Sequence, residues 1–440
     1  MTSAAIPSTL ARPGAAPFWF ALLLTGAGTG VAAAALTRLL EFVERAVWGG
    51  TGTNLLEAAQ QAGAWRHVLV LIAAGVITGA GQILLRHLSS GNGIDTTAAI
   101  WFYAGRMPAL RTLGSAVLSV IIVGMGVSLG REGAPKQAGA VFANFFADRM
   151  RLSDEQRRLL VACGAGAGMS AAYGVPLGGA LFSLEVMRGV LALRYVLPAL
   201  FASLVATAVS WIALPDAPTY LIPAYTSSIS CLLFALIAGP IAGLVSVGYV
   251  RAITWADRSK PQGWHRLVRP LLGLGLLGVV SIWFPQLLGN GRDITQLTFT
   301  NQVAPALVLI LLLLKPAATV LCVSSGAPGG LFTPSLTVGA LLGVVLGHGW
   351  SWLWPGVPPG LFALLGAAAV LAATTQGPIS TVVLMMELTG RDRSFILPML
   401  LAVATATLVA RTIEPRSIYD ARLTDEEIAA RQKMRELPPR

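Results

Sequence analysis

The sequence predicts an all-α membrane protein that crosses the bilayer many times, and three observations predict it. Of 440 residues, 55% are hydrophobic and 12% charged, with a mean hydropathy of +0.70, which leaves too few polar side chains for a water-facing surface. Apolar runs near twenty residues recur along the chain, the length that spans a hydrocarbon core of roughly 30 Å. The 48 glycines and 26 prolines recur inside those runs, where a broken backbone survives only if it is buried in protein or lines a cavity. A soluble enzyme is excluded, and a transporter or channel is favoured over a simple bundle.

In order, the apolar runs fall near 18–40, 67–86, 109–129, 159–173, 176–192, 196–214, 229–250, 269–285, 303–323, 335–354, 359–374, 377–389 and 395–413. The first, FWFALLLTGAGTGVAAAAL, lacks a convincing cleavage site and is read as a first membrane helix, not a removed signal peptide. Several later runs are too short to cross and imply tilted, re-entrant or broken helices. Ser153 with Gln156 three residues on makes a capping box before the run at 159, and Thr424 with Glu427 makes another before an amphipathic tail helix. No polar domain or Pro/Ser-rich linker interrupts the runs. One membrane domain is expected over 18–420, with a segment 1–17 and a tail 421–440 in the cytoplasm.

The 31 basic and 20 acidic residues give a net charge of +11, but the basic residues lie in short connections, so positive-inside topology explains them better than nucleic acid does. The segments 148–158 and 251–269 are densest and are placed in the cytoplasm; the loop 215–227, without Lys or Arg, is placed outside. Cys163, Cys231 and Cys322 show no CxxC spacing and read as small buried hydrophobes. His67, His87, His265 and His348 have no metal-ligand spacing, and neither metal nor cofactor is expected. WSWLW at 350–354 reads as an interfacial anchor.

An internal repeat is visible. GAGAGMSAAYGVPLGGALFSLEV from Gly164 parallels GAAAVLAATTQGPISTVVLMMEL from Gly366, so that Pro176 and Glu185 match Pro378 and Glu387, and RYVLP matches SFILP 200 residues later. The halves are expected over about 18–215 and 228–413. Each has a glycine-rich break, SLGREGAP (128–135) and SSGAPGGLFTP (324–334), and matched breaks point to a substrate site at the repeat interface. Similarity alone leaves the relative direction of the repeats open.

The break GREGAPKQAG places Arg131, Glu132 and Lys136 between two apolar runs. Charges at membrane depth are costly and mark an ion or proton path. Glycines around the acid and a following proline suggest a helix starting there, its N-terminal amides free to attract an anion.

At these residues the sequence resembles the CLC chloride channel and transporter family, bacterial type without CBS domains. The landmarks are GNGID (91–95), GREGA (130–134), GLFTP (330–334) and Tyr419 in RSIYD, and the similarity runs from about 20 to 420. The resemblance implies the CLC fold: two inverted repeats with about 18 tilted, broken and re-entrant helices. It also implies a homodimer in a bacterial inner membrane, one anion path per subunit. By position the anion is held by the amides of Leu331 and Phe332, the side chain of Asn92 and the hydroxyl of Tyr419, with Gly91, Gly93, Arg131, Gly133 and Gly330 supporting the path. Glu132 matches the gating glutamate, which competes with the anion when ionised and swings aside when protonated. The bland reading of Glu132 is an ion pair with Arg131.

Three departures follow. Asn92 stands where chloride-selective members have serine, and either contacts the anion or only supports a turn. The proline after GREG is displaced to Pro135, with Lys136 behind it, a lysine that adds positive potential or is paired elsewhere. Val186 stands where proton-coupled members carry an inner acid, while Glu185 and Glu387 recur in both repeats and read as structural. The expected function is therefore uncoupled or weakly proton-coupled movement of small monovalent anions, chloride first. Proton-coupled exchange of chloride, fluoride or another halide is the alternative. An intramembrane enzyme is remote, since no GxSxG, paired intramembrane aspartates or HExxH occurs. Lys315, at the end of VLILLLLL, either sets the inner potential or has a partner in the interior.

Overall fold

The computed structural model describes residues 15–49, 54–87, 95–391, 395–420, 423, 424 and 426–430. Helices make up the regular structure of these residues. The first half holds α1 (Ala15–Trp48), α2 (Leu55–Gln61), α3 (Ala64–His87), α4 (Thr96–Phe102), α5 (Ala109–Gly124), α6 (Gly133–Arg149), α7 (Asp154–Tyr173), α8 (Pro176–Phe182) and α9 (Leu193–Ser210). The second holds α10 (Ile229–Arg258), α11 (His265–Ser281), α12 (Arg292–Phe299), α13 (Pro305–Ser324), α14 (Phe332–Leu353), α15 (Pro359–Thr375), α16 (Pro378–Thr389) and α17 (Ile396–Ile413). Seven of them, α1, α3, α9, α10, α13, α14 and α17, are long and apolar enough to cross a membrane.

The repeat seen in the sequence is repeated in the packing. A Cβ added at Gly26 or Gly30 of α1 would come within 3.0 and 2.5 Å of carbonyls of α9; one added at Gly239 or Gly243 of α10 would come within 2.8 and 2.6 Å of carbonyls of α17. Small residues let these helix backbones touch where the hydrophobic effect cannot drive association. The same holds for Gly139 on Gly164 between α6 and α7, and for Gly339 on Gly366 between α14 and α15. α7 from Leu159 and α15 from Gly360 are buried on every side, which accounts for runs that are apolar or small all round. Residues at the rim are apolar and open, Leu193, Ile212 and Trp352 being 86%, 85% and 90% exposed, as a lipid-facing surface requires.

The two breaks meet as an antiparallel bridge between Gly130 and Gly330. Gly130 N–H donates to Gly330 O at 2.8 Å and Gly330 N–H to Gly130 O at 2.7 Å. The equivalent glycines of the two breaks therefore meet with opposite chain directions, as across an approximate two-fold. Capping follows the sequence: Ser153 and Gln156 form the reciprocal box at α7, and Glu427 N–H donates to Thr424 Oγ1 at 3.2 Å while Thr424 N–H donates to the Glu427 carboxylate.

The run at 176–192 is not one helix. α8 ends at Phe182 and a π-helical turn, Ser183–Arg188, carries the chain to Gly189, which takes a left-handed φ of 71°. Its counterpart α16 stays α-helical and ends on Gly390 at φ 59°.

Candidate functional site

α6 begins at Gly133 and α14 at Phe332, so both helices start inside the protein on either side of the Gly130–Gly330 bridge. Glu132 precedes α6 and is 1% exposed. Its Oε1 accepts the backbone N–H of Phe332 at 2.6 Å. Its Oε2 accepts the Thr333 hydroxyl at 3.2 Å and the Tyr173 hydroxyl at 3.4 Å, and those two hydroxyls lie 2.9 Å apart. A carboxylate on the first amide of a helix meets both an unpaired donor and the positive end of the dipole.

The bridge glycines make this possible. A Cβ at Gly130 would lie 2.1 Å from Glu132 Oε2, and one at Gly330 would lie 2.1 Å from Oε1. The break therefore needs glycine because the acid folds back over it.

Arg131 and Gly133, on either side of Glu132, line different cavities. Arg131, its guanidinium 5.0 Å from the Tyr173 ring centre, lines a cavity of about 170 Å³ shared with Glu44, Arg292 and Asp293. Among the described residues no ion pair joins Arg131 to Glu132. Gly133 lines a cavity of about 50 Å³ with Lys136, Gly330, Leu331 and Tyr419, room for a small ion or a water. Asp95, Ser115, Gln137 and Pro328 line both this cavity and a wider one of about 500 Å³. The wider cavity also gathers Arg86, Arg111, Lys260 and Arg266, and it sits on the basic side read as cytoplasmic. Glu132 thus stands between the Arg131 cavity, on the side read as outer, and the Gly133 cavity, on the side read as inner.

Tyr419 reaches the inner cavity on a tethered loop. Ile418 N–H donates to Thr374 O at 2.8 Å, and Gln376 Nε2 donates to Glu414 O at 2.9 Å. Arg416 Nε and Arg251 Nε meet the Glu414 carboxylate at 2.6 and 3.0 Å. These contacts hold the Glu414 carboxyl down to about 2, the hydrogen bond from Arg416 contributing most. The Tyr419 ring packs edge-on against Phe182 at 5.6 Å, and Lys136 Nζ lies 4.2 Å from its centre.

The structure brings together Glu132, Phe332, Leu331, Gly133, Gly330 and Tyr419 of the expected site. Gly91, Asn92 and Gly93 lie outside the described residues. Val186 is buried in the π-helical turn, where a Cβ on Gly377 would touch its Cγ2 at 2.6 Å. Lys315 has partners in the interior: its Nζ donates to the carbonyls of Leu287 and Gly289 at 2.9 and 3.0 Å, next to the loop that lines the Arg131 cavity. Sequence reasoning missed Tyr173 and Thr333. Tyr173 had one signal, a lone phenol in the small-residue stretch GAGAGMSAAYG; Thr333 had its place within GLFTP.

The chain matches the model of the voltage gated chloride channel family over residues 69–411. It is 30% identical to "Chloride channel protein CLC-f" of Arabidopsis thaliana over 90% of its length, and spans 54% of that longer protein. It is 31% identical to "Putative chloride channel protein ClcB-like" of Ralstonia nicotianae, covering 84% of this chain and 88% of that one. It is likewise 31% identical to "H(+)/Cl(-) exchange transporter ClcA" of Vibrio parahaemolyticus, covering 68% and 66%. Among solved structures it resembles a slow cyanobacterial Cl⁻/H⁺ antiporter, with a TM-score of 0.80 at 22% identity over 96% of this chain and 100% of the other. A CLC-type fluoride/proton antiporter gives 0.75 at 24%, over 93% and 98%.

Proposed function

The chain belongs to the voltage gated chloride channel family, an integral membrane family of anion channels and transporters, not of enzymes, and from that premise we propose that it passes small monovalent anions, chloride first, under the control of Glu132. The observation that carries this reading is the Glu132 carboxylate on the Phe332 amide at 2.6 Å. An anion crossing from the outer to the inner cavity needs that amide and that space. Ionised Glu132 occupies both; protonated Glu132 is a weaker acceptor and yields them. Leu331, Phe332 and Tyr419 then offer amides and a hydroxyl that replace hydration without trapping the ion, with Asn92 adding a side-chain donor. Residues 18–420 act as one transmembrane domain, and two copies in a bacterial inner membrane form a homodimer with one path each.

Movement is uncoupled or weakly coupled to protons, because Val186 offers no inner acid. A second reading, proton-coupled exchange of chloride or fluoride, is favoured by the hydroxyls of Tyr173 and Thr333, which touch each other and the Glu132 carboxylate and form a chain able to pass a proton.

Purified protein in liposomes, with chloride efflux and proton movement recorded together, separates the readings. Chloride flux that drives no uphill proton movement is expected; stoichiometric proton pumping selects exchange, and absence of anion flux rejects both.

A further inference from the structure

A second cluster of charge lies away from Glu132, where the end of α6 and the start of α7 meet the loop after α4. That loop turns back on α7 through two successive left-handed residues, Ala104 at φ 52° and Gly105 at φ 81°. A Cβ on Gly105 would lie 3.1 Å from Arg157 Cγ, so the loop rests directly on that side chain. Together they wall a cavity of about 650 Å³, where apolar Phe102, Met107 and Pro108 stand with Arg106, Arg157 and Arg158. It lies at the segment 148–158 read as cytoplasmic, and it shares no lining residue with the cavity at Gly133.

The acids in this wall are already paired, Asp148 with Arg157 and Asp154 with Arg106 at 2.8 Å. Arg157 is 6% exposed. Its Nη1 also donates to Asn144 Oδ1 at 3.2 Å, while its Nε is buried and makes no hydrogen bond. Arg158 makes no hydrogen bond or ion pair among the described residues, although Asp154 stands one turn before it, and its Nε is likewise buried without a partner. Donors withdrawn from water and left unused are costly. A guanidinium in that position presents a full charge and a planar fork of N–H groups, which an oxyanion matches two bonds at a time.

We propose that this cavity binds the phosphate group of an anionic phospholipid from the cytoplasmic leaflet, with Arg158 as its principal ligand and Arg157 and Arg106 beside it. Basic pockets between membrane helices on the cytoplasmic side recognise such headgroups. The rest of the wall points to lipid and not to free phosphate. Phe102, Met107 and Pro108 offer nothing to a hydrated ion, and Tyr103 in the same wall is 47% exposed. Phe145, on α6 one turn before Asp148, is 57% exposed. These are surfaces on which a glycerol backbone and acyl chain lie, at the depth where aromatic rings anchor. A bound lipid ties the α4–α5 loop to α6 and α7, and α6 is the helix that starts behind Glu132. Binding here requires a bilayer and does not depend on anion passage.

The purified full-length chain in detergent, titrated with phosphatidylglycerol and read by native mass spectrometry, tests this, with phosphatidylcholine and inorganic phosphate as separate arms. Phosphatidylglycerol is expected to bind about fivefold or more tightly than phosphatidylcholine. Arg158→Gln is expected to weaken phosphatidylglycerol binding about fivefold or more, and Arg158→Lys, which keeps the charge, to stay within about threefold of the parent. Arg149→Gln, which changes an exposed arginine of α6 outside the cavity, is expected to leave binding unchanged. Undiminished binding in Arg158→Gln overturns the proposal, and so does an equal loss in Arg149→Gln, which would reduce the effect to surface charge. A second measurement needs no variant: the parent's melting temperature is expected to rise with phosphatidylglycerol and not with phosphatidylcholine, and equal stabilisation by the two overturns the proposal. Stabilisation by inorganic phosphate as strong as that by phosphatidylglycerol overturns the lipid as the source of the phosphate. The outcome is independent of chloride flux in liposomes, so failure of this site and failure of the transport reading are told apart.

Discussion

Glu185 and Glu387 each close the helix that the other's repeat begins. Glu185 accepts the N–H groups of Ile379 and Ser380 at the start of α16, at 3.1 and 2.6 Å. Glu387 accepts those of Leu177 and Gly178 at the start of α8, at 3.0 and 2.6 Å. Both helices open with proline at their first position, so the acids bind the orphan amides just beyond it. Replacing either acid by alanine is expected to cost about 1–3 kcal/mol, by nearly equal amounts for the two. Unfolding midpoints in detergent check this, and a large effect at one position alone would break the equivalence.

Glu132→Gln retains shape and loses charge. Flux through the parent protein is expected to rise as pH falls, because protonation removes the carboxylate's claim on the Phe332 amide. In the variant, flux is expected to persist and to be flat with pH. A variant that keeps the parent's pH profile in liposomes rejects the gate.

Gly330→Ala tests the same carboxylate from outside. The added methyl would lie 2.1 Å from Glu132 Oε1, and the side chain, being the movable partner, is expected to leave the Phe332 amide. The variant should then resemble Glu132→Gln in its flux and pH profile while Glu132 is still present. Flux with the parent's pH dependence would show that the carboxylate had stayed.

Glu414 gives a pH effect on stability whose sign is set by its depressed pKa. The carboxyl titrates at about 2 in the folded protein against an ordinary 4.5, held there first by Arg416 and then by Arg251. Its contribution is fully present above pH 4.5 and is lost as pH falls toward 2. The parent is expected to lose thermal stability across that window more steeply than Glu414→Gln, which starts lower. Parallel melting curves from pH 5 to pH 2.5 would contradict it.

Much of the fold was legible because membrane depth writes long apolar runs and duplication writes each landmark twice. The break at Glu132 was legible for the same reason, since charge between apolar runs demands an explanation. What could not be read was set by partners far along the chain. Lys315 is satisfied by two backbone carbonyls 28 and 26 residues away, and a carbonyl leaves no trace in sequence. Tyr173 and Thr333 reach Glu132 from 41 and 201 residues away, as a phenol and a hydroxyl in otherwise bland segments. The π-helical turn at Ser183–Arg188 was hidden because its segment aligns without a gap, Glu185 on Glu387, with the regular helix in the other repeat.

Glu132 and Phe332 lie 200 residues apart, the offset that separates Gly130 from Gly330, so the contact joins a residue to its own repeat counterpart. Two identical halves meeting here would set a carboxylate against a carboxylate, each excluding the other from the opposite helix. Here one position holds an acid and the other a phenylalanine, so one half supplies the acceptor and the other the donor. The one-way character of this contact, acceptor from one half and donor from the other, is thus a consequence of a difference between duplicated halves.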